Sequence, residues 1–171
     1  MRTREMEKWE EALPFPLTVL YVEDNEEARE LTRFFLESYF TEVLSVEDGE
    51  RALEVFLETP EIDIVITDLS LPGFDGFEML RRMRRRREDL SIVIFSAYAE
   101  THQMFQAIDL TVDGYLLKPF DPERFEKVMT CVVKRLLKRR DRQHYIEALE
   151  KRIEALEEEC RRLGANQEEG S

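Results

Sequence analysis

Five residues in this 171-residue chain carry groups suited to phosphate or metal, and each stands at the end of an apolar run. Glu23 and Asp24 follow LTVLYV, Asp68 follows IDIVIT, Ser96 closes SIVIFS and Lys118 closes GYLLK. A carboxylate is costly to desolvate without a partner, so an acid at the mouth of a core strand needs a reason. Carboxylates brought together repel one another, and a cation among them relieves that repulsion. Hard oxygen donors with room left for water and phosphate oxygens suit Mg2+. Ser96 offers a hydroxyl donor and Lys118 a point charge for phosphate oxygens. Pro119 follows the lysine, so the bond between them is a candidate cis peptide. Singly, each residue has a plainer reading. Asp68, just before LPGFDG, can be a turn or helix cap, Glu23 and Asp24 a cap of the next helix, Ser96 a turn residue and Lys118 a solvated cation. Jointly, the carboxyl ends of strands one, three, four and five each contribute a metal or phosphate group.

The elements that must position these groups follow from the apolar patterning. Strands are expected at LTVLYV (17–22), EVLSV, IDIVIT, SIVIFS and GYLLK. They are short, apolar and bounded by turn residues. Between them lie EDNEEARELTRFFLESYF behind an Asn25 cap candidate, DGERALEVFLET, FDGFEMLRRMRRRR and a helix near 99–110. From Pro122 nothing breaks a fifth helix until Gly164. Five strands alternating with five helices imply an α/β fold, a parallel sheet covered on both faces. Ligands of such sheets collect beyond the carboxyl ends of the strands. If strands one and three are neighbours, as in the flavodoxin-like order, Glu23, Asp24 and Asp68 converge there.

Residues from about 17 to 137 resemble a response-regulator receiver domain, and the match runs in order along the segment. VEDN is similar to the family's acidic pair, and DLSLPGFDG to its phosphorylation loop. FSAY is similar to its switch hydroxyl followed by a small residue, and DGYLLKPF to its aromatic-x-x-Lys-Pro signature. Thr111 stands where many relatives have Gly before the fifth strand. The resemblance implies that Asp68 is the phosphoacceptor, exposed at its strand's end as a nucleophile. It implies that Asp24 and Asp68, with the Ser70 backbone carbonyl, bind Mg2+, and that Glu23 acts mostly through water. Lys118 would bind the phosphate, and Ser96 with Tyr115 would form the conformational switch. Ser70 and Tyr98, two residues after Asp68 and Ser96, would tune how long the phosphate survives. A sensor histidine kinase or phosphotransfer protein is the implied donor. The chain would be no enzyme beyond slow self-phosphorylation from small donors and self-dephosphorylation. The switch face would be helix four, strand five and helix five.

Beyond the receiver segment, Ile146, Leu149, Ile153, Leu156, Cys160 and Leu163 recur at spacings of 3, 4, 3, 4 and 3. That is an a/d heptad seam, and Ile at a with Leu at d favours a parallel dimer. Arg152 at g can reach Glu157 at e of a partner helix. The plainer alternative is an amphipathic helix lying on its own domain. Running the register backward places Phe125, Val128 and Val132, then Arg135, Arg139 and Arg142, on the seam. Three arginines there would repel across a dimer, so KRLLKRRDR is a weak link between receiver and coil. The second basic run, RRMRRRR (81–87), suits the C-terminal end of a helix.

The expected organisation is an N-terminal helical extension (1–16, with Met6, Trp9 and Leu13 at helical spacing), a receiver domain (17–137), a coiled-coil stalk (138–163) and a disordered tail (164–171). The net charge of −13 argues against general nucleic-acid affinity, and no helix-turn-helix pattern points to specific DNA. Cys131 and Cys160 make no disulfide framework. The charged N-terminus is no secretory signal, and no run approaches the roughly 18 apolar residues of a membrane span. A soluble cytoplasmic homodimer is expected, free of membrane, with Mg2+ as cofactor. A stalk with nothing after it suggests a fragment whose output domain lies elsewhere. Two other classes compete. One is a constitutive coiled-coil scaffold whose receiver only docks partners, which the intact acids, Ser96 and Lys118 argue against. The other is a phosphohydrolase of similar fold, which would need an acid-base residue where Ser70 sits.

Overall fold

The computed structural model describes residues 13–71, 73, 75–97 and 100–168, with the side chains of 159, 160 and 162–168 set aside. In chain order the elements are β1 (Phe15–Val22), α1 (Glu26–Glu37), β2 (Phe40–Val46), α2 (Gly49–Glu58), β3 (Ile62–Thr67), α3 (Gly76–Arg86), β4 (Ser91–Ser96), α4 (Thr101–Asp109), β5 (Gly114–Leu117) and α5 (Pro122–Glu168). The five strands form one sheet in the order β2-β1-β3-β4-β5, all pairs parallel. β1 and β3 are neighbours, as the flavodoxin-like order requires.

Burial on both faces explains why the strands read as continuous apolar runs rather than alternating ones. All six residues of β4 are buried, as are seven of the eight in β1. Leu20, Val22, Val65, Ile92 and Ile94 pack with Ala52 and Phe56 of α2, Phe77, Met79, Leu80 and Met83 of α3, and Ala107 of α4. The alternate side chains face the other way. There Phe95 of β4 meets Phe125 of α5 at 6.1 Å between ring centroids, and Phe125 meets Phe35 of α1 at 4.7 Å. Short polar caps start the helices. Asn25 accepts from Ala28 N (2.8 Å), Asp48 from Arg51 N (2.7 Å), Asp75 from Phe77 N (2.9 Å) and Asp121 from Arg124 N (2.7 Å).

Two regions differ from the sequence expectation. The N-terminal helical extension was placed over 1–16, yet Phe15 and Pro16 already belong to β1. Phe15 pairs with Phe40, and its N–H donates to Tyr39 O at 2.7 Å, so sheet hydrogen bonding claims these residues. The rest of that extension, residues 1–12, lies outside the described residues. At the other end the expected helix stop at Gly164 is absent: α5 continues through Gly164 to Glu168. Glycine inside a helix costs only about 1 kcal/mol relative to alanine, which does not stop a helix. Residues 164–168, expected in a disordered tail, are therefore helical, and 169–171 lie outside the described residues. The chain divides into two compact units, one ending at Val133 and the other starting at Lys134.

The basic run at the end of α3 has a structural use. Arg84 donates to the carbonyls of Glu88 (3.0 Å), Leu90 and Thr111 (3.3 Å). Arg87 donates to Pro60 O (2.6 Å) and Ile62 O, and its guanidinium lies 5.3 Å from the centre of the Phe56 ring. These two arginines satisfy carbonyls at the amino-terminal edge of the sheet that would otherwise need water.

Thr111 has φ of +54°, the left-handed region. A β-branched residue is strained there, by roughly 1–2 kcal/mol, whereas glycine is not. Thr111→Gly should raise unfolding stability by about 0.5–1 kcal/mol, once the larger chain entropy of unfolded glycine is subtracted. Urea denaturation of the two proteins measures the difference.

Candidate functional site

The register of neighbouring strands sets the site. Val22 of β1 lies opposite Thr67 of β3, so the next residues, Glu23 and Asp68, leave the sheet side by side. Asp68 N donates to Val22 O at 3.1 Å and Glu23 N to Val46 O at 3.1 Å, which extends the ladder one step past the strands. On the other side, Lys118 N donates to Ser96 O at 2.8 Å, fixing the start of the lysine's side chain beside β4. The Lys118–Pro119 bond is cis. From there the Lys118 ammonium donates to Glu23 Oε2 at 2.5 Å and to Asp68 Oδ2 at 2.9 Å.

Both acids are buried, Glu23 being 3% exposed and Asp68 7%. Asp68 was expected to be exposed; it is instead covered, its charge met by Lys118 and by the Ser70 N–H, which donates to Oδ1 at 2.9 Å. Burial alone would push the Lys118 pKa down, but the hydrogen bonds to Glu23 and Asp68 and their charge outweigh it and hold the pKa well above its ordinary value. The lysine is therefore a fixed cation at any physiological pH.

Glu23 is held from every side. Its Oε1 accepts from Asn25 N at 3.3 Å, and its Oε2 accepts from the Tyr21 hydroxyl at 3.2 Å. Its carbonyl accepts from Arg29 of α1 at 2.9 Å, and the same guanidinium reaches the Asp24 carbonyl at 3.4 Å. Sequence reasoning passed over Tyr21 and Arg29. Tyr21 reads as one more apolar strand residue, and Arg29 as a surface helix residue, although its place four after Asn25 in the first turns of α1 aims it back at the loop.

The expected convergence of three carboxylates is only partly met. The structure brings Glu23 and Asp68 together on Lys118 and leaves Asp24 exposed. Among the described residues no group of three or more His, Cys, Asp or Glu side chains stands ready to hold a metal ion. The ammonium supplies the cation that the repulsion argument demanded. The Asp24 and Asp68 carboxylates with the Ser70 carbonyl are nonetheless an all-oxygen set, the donor chemistry that a hard divalent ion with retained waters takes.

Ser96 is fully buried at the end of β4. Tyr115, opposite Ile94 on β5, is half-buried and packs against the apolar core on the α2–α3–α4 side. Tyr98 lies outside the described residues.

A parallel sheet covered by helices, with buried acids and a lysine gathered at its carboxyl end, is a domain of the doubly wound α/β class. Residues 19–130 match the family model described as response regulator receiver domain, and the chain belongs to that family, the receivers of two-component response regulators. It is 32% identical over 130 residues to the transcriptional regulatory protein ResD of Bacillus subtilis, covering 76% of this chain and 52% of ResD. It is 26% identical over 141 residues to a cyclic di-GMP phosphodiesterase of Thermotoga maritima, covering 82% of this chain and 38% of that protein. The chain thus spans about half the length, or less, of these curated relatives. Among solved structures it is similar to the response regulator protein TrrA of Thermotoga maritima in complex with Mg2+ and BeF. That match has 31% identity and a TM-score of 0.59, covering 67% of this chain and 98% of TrrA.

The Lys118 and Tyr21 shifts have a consequence for stability at high pH. Both groups keep their protons in the folded chain after the unfolded chain has lost them, since their folded pKa values are raised above 10.5 and 10.0. Their contribution is complete below about pH 10 and is lost as pH rises toward the folded values. Urea denaturation across a pH series should show stability falling above pH 10, with a smaller fall in Lys118→Met.

Proposed function

We propose that this chain is a phosphorylation-dependent switch in which Asp68 accepts a phosphoryl group from a histidine kinase or phosphotransfer protein. An Asp68 carboxylate oxygen attacks the phosphorus of phosphohistidine. The P–N bond breaks, its electron pair returns to the imidazole nitrogen, and an acyl phosphate forms on Asp68. Lys118 then turns from the carboxylate to the phosphoryl oxygens, and the Ser96 hydroxyl donates to one of them. The observation that carries this reading is the Lys118 ammonium lying 2.9 Å from Asp68 at the sheet's carboxyl end, in a chain whose motifs follow the family's order.

Mg2+ is the fitting cofactor: Asp24, Asp68 and the Ser70 carbonyl would hold it, and Glu23 would act through water. It would neutralise charge on the phosphoryl oxygens. The Mg2+-BeF complex of TrrA supports this. Ser70 and Tyr98 flank the path of attacking water and tune the lifetime of the phosphate. The phosphodiesterase activity named for one relative belongs to a protein of which this chain spans 38%; the chemistry proposed here is phosphate acceptance and slow self-dephosphorylation, without turnover of a substrate.

Output passes through Ser96 and Tyr115 to the α4–β5–α5 face and on to a parallel homodimeric coiled coil. The receiver begins with β1 at Phe15 and runs to about 137, and residues 138–163 form the stalk. Support comes from the seam itself: Ile146, Leu149, Ile153 and Leu156 are 41–54% exposed in the single chain, a row of large apolar side chains on a charged helix. The side chains of Cys160 and Leu163, the last seam positions, lie outside those described. The greater length of the relatives supports an output domain elsewhere. No helix among the described residues is long and apolar enough to cross a membrane. The proposed site of action is the cytoplasm, and the proposed partners include neither membrane nor specific nucleic acid.

Incubation with acetyl phosphate and Mg2+ should add one phosphoryl group, located at Asp68 by borohydride trapping and mass spectrometry. Asp68→Asn should remove it; equal labelling of that variant would refute the assignment. Sedimentation should give a dimer for the wild type. Ile153→Asp combined with Leu156→Asp puts unpaired charge in the seam and should give a monomer with an unchanged receiver.

A further inference from the structure

Tyr21 is fully buried near the carboxyl end of β1's apolar run, and its hydroxyl has a polar partner there. Its hydroxyl donates to Glu23 Oε2 at 3.2 Å, the oxygen that also takes the Lys118 ammonium at 2.5 Å. The ring packs 6.2 Å from Phe95. A continuous chain of hydrogen bonds therefore runs from Tyr21 through Glu23 and Lys118 to Asp68. A buried hydroxyl needs a polar partner, and Tyr21 finds it in the Glu23 carboxylate.

We propose that Tyr21 is a positioning residue for the phosphoacceptor site: its hydroxyl pins the Glu23 carboxylate inward, and Glu23 so pinned holds Lys118 beside Asp68. The proposal rests on the phosphoacceptor reading for its catalytic consequence, but not for its geometry. Glu23 sits one residue beyond the sheet, turned inward, with Asn25 N on Oε1 and both the Lys118 ammonium and the Tyr21 hydroxyl on Oε2. The hydroxyl is the contact that reaches the carboxylate from inside the core. Without it, the carboxylate is held less firmly, and Lys118 has a less constant partner.

Tyr21→Phe keeps the ring and removes only the hydroxyl, and a dispersed amide spectrum confirms that the variant is folded. Two readouts follow. The first, without Mg2+ or phosphodonor, is the nitrogen-15 spectrum of the Lys118 ammonium. Its protons should exchange with water about tenfold faster in Tyr21→Phe, the size expected when a hydrogen bond to a charged group is lost. The second is the rate of Asp68 labelling by acetyl phosphate at saturating Mg2+, which should fall about tenfold. In a Glu23→Ala background, which leaves the hydroxyl no acceptor at that position, Tyr21→Phe should change neither readout, because the hydroxyl acts through the carboxylate. Unchanged ammonium exchange, an unchanged labelling rate, or an undiminished effect in the Glu23→Ala background would each overturn the proposal. If the wild type itself is never labelled, the phosphoacceptor reading fails, and the ammonium exchange decides the positioning role by itself.

Discussion

Glu23 and Asp68 lie buried one residue past the ends of adjacent strands, and a single ammonium, Lys118, joins them. Two buried carboxylates this close are tolerable only with a cation between them, and removing one partner of a buried pair costs several kcal/mol. The β1–β3 neighbour relation brings the acids together, and the β4–β5 pairing delivers the lysine. A sheet with these strands in another order would leave at least one buried charge without its partner. Strand order, register and loop direction at the carboxyl end all serve this contact.

The same contact bears on the proposed phosphoacceptor role. Lys118 is already engaged with Asp68, so under that proposal a phosphoryl group on Asp68 would redistribute hydrogen bonds already made rather than recruit a distant residue. Phe120, two residues beyond Lys118, lies 4.9 Å from Phe95 and stacks on Phe125 at 5.9 Å. Phe125 is itself enclosed by Phe35 and Tyr39 of α1. The loop that carries the lysine is thus bolted to the first turns of α5 by rings, and close-packed interiors transmit small displacements rather than absorbing them. The amino-terminal edge is pinned by other means. Asp113 accepts from Ile92 N at 3.1 Å, Asp63 from Thr18 N at 2.8 Å, and Arg84 and Arg87 hold loop carbonyls.

Much of the fold was legible in the sequence. Short apolar runs bounded by turn residues marked all five strands; in β1, β3 and β4 the runs are continuous because a strand buried on both faces cannot alternate. The cap candidate Asn25 marked the start of α1, because only short polar side chains reach the free N–H groups of a first turn; the caps Asp48, Asp75 and Asp121 came to light in the structure. Asp68, Glu23 and Lys118 were legible as neighbours because their types are too costly to bury at strand ends without partners. The sequence alone also fixed the heptad spacing from Ile146 to Leu163, since spacing is a property of order along the chain.

Only the tertiary structure decided the rest. Whether Asp68 is open or covered depends on what the loops place around it, and Lys118 and the Ser70 N–H cover it. Whether the three acids meet one another or a lysine depends on side-chain direction, which strand spacing does not encode; Glu23 turned inward and Asp24 stayed outside. Tyr21 and Phe95 look alike in a list of apolar strand residues, and only the packing shows that one hydroxyl meets a carboxylate 3.2 Å away. The arginines of α3 read from sequence as a charged helix end, and the fold turned two of them into clamps on carbonyls far away in the chain. Local composition sets which groups need partners. The partners themselves are chosen by contacts between residues distant in sequence, and those exist only once the sheet is assembled.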